Sequence, residues 1–135
     1  MTGSMNSARF CHTVFLLTNA HVLVTGELNN CLDINSDKLY DPSTGTWAVT
    51  RSMNSTRIGH TTSVLTNGNV LVIGGINYYL LSSTELNDPL KETLAMADNM
   101  NSPRSYHTAF LLKNRYALVT GDLNISTAEN STELY

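Results

Sequence analysis

"MNSARFCHTVFLLTNAHVLVTG" occupies residues 5–26, and the chain returns to it twice. "MNSTRIGHTTSVLTNGNVLVIGG" begins at Met53 and "MNSPRSYHTAFLLKNRYALVTGD" at Met100, steps of 48 and 47 positions. A second landmark keeps the same step. "DKLYDPSTGTW" (37–47) matches "TELNDPLKETL" (84–94), and "TELY" (132–135) begins a third copy. The chain therefore divides into units at about 5–52, 53–99 and 100–135, within a single domain spanning 1–135.

Each unit reads as strands. "HTVFLL" and "HVLVTG" are short apolar runs split by a turn, and in the second unit that turn contains Asn67-Gly68, a strong hairpin signal. Near-continuous apolar runs suit strands covered on both faces. "DKLY" is a third strand. In "DPSTG", Pro42 presets φ, Asp41 can bind nearby N–H groups and Gly45 accepts positive φ, so a tight turn leads into a fourth strand, "TWAVT". No segment keeps a 3.6-residue period for ten residues, so no helix is expected. One four-stranded sheet cannot bury both faces alone, which is the physical reason to repeat it side by side. The expected fold is all-β, with about three four-stranded antiparallel blades and close to twelve strands.

A strand ending in Gly74-Gly75, with Tyr40 and Trp47 separated by six residues in the preceding unit, resembles the kelch repeat of β-propellers. The "MNSxRxxHT" lead-in is similar to the kelch variety of galactose-oxidase-like propellers. The copies depart from the pattern. Gly26 and Gly121 are each followed by an acid, and Asn87 and Leu94 replace the Tyr/Trp pair. Glu92 stands where the first turn has Gly45, and left-handed geometry there would cost on the order of 1 kcal/mol. The outer edge of the middle blade is expected to be the softest. Trp47, if buried against Tyr40, would be the largest packing contributor of its blade.

Kelch propellers usually close with more blades than three. The third unit lacks its outer strand, while "MTGSMNS" aligns with "VTRSMNS" (49–55) at the tail of the first unit's fourth strand. The N-terminal residues are expected to supply part of the missing strand. Two arrangements would complete a ring: further blades of a longer chain, of which this is a fragment, or a homodimer of six blades.

The resemblance implies a binding scaffold, most simply for a protein partner. The candidate ligand contacts are Arg9, Arg57 and Arg104, in the loops entering the first strand of each unit, and Tyr78 and Tyr79 as an exposed aromatic anchor. The arginines could instead bond carbonyls within the repeat, because a ligand site usually breaks symmetry. Tyr78 and Tyr79 could instead pack on a neighbouring blade. His12, His60 and His107, each followed by Thr, are assigned to structure. Equivalent positions on successive blades lie too far apart to share a zinc ion. Gly26, Gly74, Gly75, Gly121, Tyr40 and Trp47 are likewise structural. Variable loops at 27–37, 75–83 and 122–131 would set specificity.

The alternative is a relative of a galactose-oxidase-like copper enzyme or a carbohydrate-binding propeller. Tyr78, Tyr79, Tyr106, Tyr116, Cys11 and His21 are available for copper, but none lies in that enzyme's sequence context. No catalytic residues, metal site or cofactor is assigned, and no enzymatic activity is expected. Cys11 and Cys31 do not recur between units, and a bridge between them is not expected. Asn54, Asn124 and Asn130 begin glycosylation triplets of the kind that a chain rich in Asn, Ser and Thr produces by chance.

Charged residues make up 14% of the chain, against about a quarter in an ordinary soluble domain, so its surface is mainly neutral polar. A net charge of -3 without Lys/Arg runs argues against a nucleic-acid partner. No apolar run approaches the roughly 20 residues of a membrane span, and the first residues do not read as a secretory leader. A cytoplasmic location is therefore expected, with no membrane contact.

Overall fold

The computed structural model describes residues 3–5, 8–9, 11–29, 32–113, 116–124 and 127–134. Every regular element among them is a strand. The first unit contains β1 (Thr13–Leu16), β2 (Val22–Thr25), β3 (Glu27–Asn29), β4 (Leu32–Ile34), β5 (Lys38–Asp41) and β6 (Thr46–Val49). The second contains β7 (Thr61–Val64), β8 (Val70–Ile73), β9 (Thr84–Asp88) and β10 (Thr93–Ala97). The third contains β11 (Thr108–Leu111), β12 (Ala117–Asn124) and β13 (Thr127–Leu134).

These form three antiparallel blade-like sheets, ordered β1-β2-β5-β6, β7-β8-β9-β10 and β11-β12-β13. Registers repeat with the sequence. Leu23 faces Leu39, Leu71 faces Leu86 and Leu118 faces Leu134. The innermost strands stand in chain order, β7 touching both β1 and β11. The sheets do not close on themselves.

The core lies between sheets. Leu23 and Leu39 of the first sheet pack against Val64, Val70 and Val72 of the second, sealed by Leu17 and Met53. Leu71 and Leu86 of the second pack against Ala109, Ala117 and Val119 of the third, sealed by Met100. Alternation explains this: even-numbered β8 residues face back to the first sheet and odd-numbered ones face forward to the third. The repeated methionine thus fills each seam.

Four expectations need correction. The described residues form thirteen strands, because the 27–37 segment carries the hairpin β3–β4. Likewise β12 and β13 run on past a bulge at Gly121 (φ 70°), which lets the ladder bend and continue. Among the described N-terminal residues, Gly3 fastens to the first sheet and not to the third. Gly3 donates its N–H to the Gly45 carbonyl (3.2 Å) and accepts from Trp47 Nε1 (2.8 Å). Arg51, 48 positions on, reaches the matching turn of the second sheet at the Glu92 carbonyl (3.4 Å). Residue 3 is thus part of a linker into the first blade, and β13 is an edge strand among the described residues. Trp47 does touch Tyr40, with ring centroids 4.9 Å apart, but it is only half-buried, because that outer turn projects from the inter-sheet core. Cys31 and Tyr135 lie outside the described residues, as do Ile125 and Ser126 of the Asn124 triplet. Cys11 is exposed and unbridged.

Candidate functional site

The loops entering β1, β7 and β11 and the connections leaving β2, β8 and β12 share one rim, because adjacent antiparallel strands start and end together. On this rim "MNSxR" meets "TEL" within the same unit. Arg57 is fully buried and uses all its donors. Nε and Nη2 donate to Glu85 Oε1 (3.1 and 2.8 Å), Nη2 also to Ser83 Oγ (2.8 Å), and Nη1 to the Gly74 and Ser83 carbonyls (both 2.8 Å). Glu85 is equally buried. Its carboxylate also accepts the N–H groups of Asn54 (2.7 Å) and Ser55 (3.3 Å). A buried ion pair is tolerable only with such complete satisfaction.

The third unit repeats this clamp. Arg104 Nη2 donates to Glu133 Oε1 (2.7 Å) and Nη1 to the Gly121 and Ser131 carbonyls, while the N–H groups of Asn101 and Ser102 bind the carboxylate. Burial opposes charging of Glu133, but Arg104 and the two N–H groups outweigh it and hold the carboxyl below its ordinary range. In the first unit Arg9 is half-buried and donates to the Ser36 carbonyl (2.7 Å) and Oγ (3.1 Å), but the strand residue at the glutamate's register is Lys38. Arg57 and Arg104 are therefore turned inward as fastenings of their own blades, which is the structural alternative of the sequence reading.

The histidines link one blade to the next. His60 Nδ1 lies 3.2 Å from the Arg57 carbonyl, so it carries the proton, and Nε2 faces the hydroxyls of Thr13 (3.0 Å) and Thr25 (3.1 Å) on the preceding sheet. Burial pushes the His60 pKa down to about 4. His107 Nε2 likewise meets Thr61 Oγ1 at 2.7 Å. Glycine closes this joint. A Cβ on Gly26 would strike the His60 ring, and one on Gly74 would lie 2.6 Å from the Arg104 carbonyl.

A further polar contact crosses the first seam. Asp37 is buried, and Asn87 Nδ2 of the second sheet donates to its Oδ2 (3.2 Å). Burial raises the Asp37 pKa to about 8, Arg9 nearby opposing the shift and Glu85 adding to it.

Tyr78 and Tyr79 are the most exposed large hydrophobic side chains among the described residues, at 86% and 78%. They form the tip of a tight turn, with Ile76 bridged to Leu80 at its base and to Ile58 of the β7 loop. Asn77 Oδ1 accepts the Tyr79 N–H (3.0 Å), fixing the turn. Tyr106, half-exposed on the β11 loop, donates its N–H to the Gly59 carbonyl (2.7 Å), so its exposed ring belongs to the same rim. The residues considered for copper divide between the two ends of the sheets. Cys11, Tyr78, Tyr79 and Tyr106 lie on this rim, whereas His21 and Tyr116 border the opposite β1–β2 and β11–β12 turns.

No family profile and no curated protein matches the chain.

Sequence reading named the arginines but missed Glu85 and Glu133. Both stand within "TEL", and their spacing of 48 positions is within one of the 47 between Arg57 and Arg104. That shared step was the signal.

Proposed function

We propose that this chain is a kelch-type propeller segment that acts as a protein-binding scaffold through its loop-bearing rim. Tyr78 and Tyr79, with Tyr106 beside them, are the anchor. The observation that carries this reading is the contrast on that rim: the arginines of the second and third blades are consumed internally, while two adjacent tyrosines project from a turn braced at its base. Tyrosines offer large contact area at low entropic cost and are enriched among residues that dominate binding energy. The frame beneath them is already satisfied, so their exposure serves no packing purpose within the described residues.

The test is selection of a displayed peptide library on the chain, followed by calorimetry of the selected peptides. Tyr78→Ala/Tyr79→Ala should weaken binding at least about tenfold, the equivalent of about 1.4 kcal/mol. Peptides that bind the double variant as tightly as the parent would refute the assignment. A glycan array yielding tyrosine-dependent binders where peptides yield none would replace it with a carbohydrate-binding reading.

A further inference from the structure

The seam between blades is used twice within the chain, and each use has a fixed set of parts. The leading sheet presents a leucine pair, Leu23/Leu39 or Leu71/Leu86, a threonine at the start of its inner strand, and a glycine leaving room for the next histidine loop. The following sheet presents a histidine and small or branched apolar side chains, Val64 in one seam and Ala109 in the other.

Both halves recur, unmated, on the two outer faces. The front of the third sheet carries Leu118 and Leu134 at the leucine register, with Leu134 58% and neighbouring Phe110 68% exposed. Thr108, in step with Thr13 and Thr61, is exposed, and nothing lies within 4 Å of a Cβ built on Gly121. The back of the first sheet carries Val14 and Leu16, 53% and 69% exposed, in step with Ala109 and Val64. Above them stands His12, in step with His60 and His107. Exposed apolar faces of this kind mark interaction surfaces.

We infer that the front of the third sheet receives the back of the first sheet of a second copy of this chain, with His12 of that copy meeting Thr108 as His60 meets Thr13. The contact is heterologous, and two such contacts close a pair of chains. The occupant is a second copy because the two faces are the two halves of a seam this chain already builds internally; no new complementarity is needed.

Sedimentation equilibrium and light scattering on chain 1–135 test this. The expected mass is twice 14.8 kDa. Phe110→Glu blocks the front and Leu16→Glu blocks the back, and both residues are exposed, so the fold should persist by circular dichroism. Each variant alone should be monomeric, while an equimolar mixture should form a heterodimer through the one intact pair of faces. His12→Ala and Thr108→Val each remove the bond from both contacts and should weaken the pair by roughly 25-fold to 100-fold, on the scale of two lost net hydrogen bonds. A monomer at all concentrations, a ladder of larger masses, a dimer indifferent to both charged substitutions, or a mixture that fails to associate would each overturn the inference.

Discussion

The first and second blades share registers and period but are fastened at opposite places. The second has the Arg57–Glu85 clamp on its loop-bearing rim, whereas its outer turn carries Asn87, Leu94 and a left-handed Glu92 (φ 53°). The first has Lys38 at the clamp register, whereas its outer turn carries the Tyr40–Trp47 contact, Gly45 (φ 71°) and the Gly3 strap. Neither blade keeps every device of the repeat. A blade held between neighbours can lose one fastening when another, and the seams on its faces, still hold it.

The sharpest break of this comparison is to remove the carboxylate. Glu85→Ala leaves the Arg57 guanidinium buried and uncompensated, and should cost roughly 3–5 kcal/mol. Lys38→Ala at the same register should cost well under half as much, since no buried opposite charge is stranded by it. Glu133→Ala should fall between, because that carboxylate is partly exposed. Urea midpoints measure all three. Equal losses for Glu85→Ala and Lys38→Ala would show that the two blades are held alike.

The next test concerns the seam that joins the two blades. Asp37 has a folded-state pKa near 8, above its ordinary 3.8, so the fold retains a proton that the unfolded chain has released. Stability from this group therefore falls as pH rises from about 4 to about 8. His60 has the opposite sign: its value near 4 lies below the ordinary 6.5, so stability falls as pH drops through that window. The two slopes oppose one another below about 6.5, leaving the Asp37 slope alone from there to about 8. Melting temperature should decline from pH 6.5 to 8 in the parent and stay level in Asp37→Asn, which keeps the shape and the Asn87 contact without the charge. A variant that declines in parallel with the parent would assign the slope elsewhere.

What the sequence made legible, and what it hid, follows the same division. The strands, their order and the strained Glu92 were readable because each depends on local periodicity and turn chemistry. The clamp was harder. Its arginine and glutamate are 28 residues apart, and Lys38 disguises the glutamate position in the first copy. The hairpin β3–β4 was hidden because a segment that varies between copies reads as loop, although a ladder can run through any sequence that alternates across it. The exposed Tyr78 and Tyr79 were named from their residue type and their place in a variable loop, and sequence could not decide between packing and projection, because that depends on where the turn points.

Trp47→Ala tests the first blade's own fastening. Full burial would have predicted a loss of about 3–5 kcal/mol. Half-burial, one ring contact and one hydrogen bond to Gly3 bring the expectation to roughly 2 kcal/mol. The loss should appear as faster hydrogen exchange confined to β5 and β6, with β8 protected as before. Exchange that quickens across β7–β10 as well would mean that the outer turn supports the whole seam.

The smallest effect is expected at Glu92. The residue occupies the left-handed conformation that Gly45 takes in the first blade, where a Cβ crowds the following carbonyl. Its side chain makes no hydrogen bond among the described residues; only its carbonyl is used, by Arg51. Glu92→Gly keeps that carbonyl and relieves the crowding, while the glycine adds conformational freedom to the unfolded chain. The relief should win, giving a gain of roughly 1 kcal/mol. Gly45→Glu is the mirror experiment: a Cβ there meets nothing within 4 Å, so any loss is backbone strain less the unfolded-state freedom that glycine gives up, and should match the gain in size. If the two changes fail to mirror each other, the turns differ in more than their residue, and the outer edges of the two blades are not equivalent.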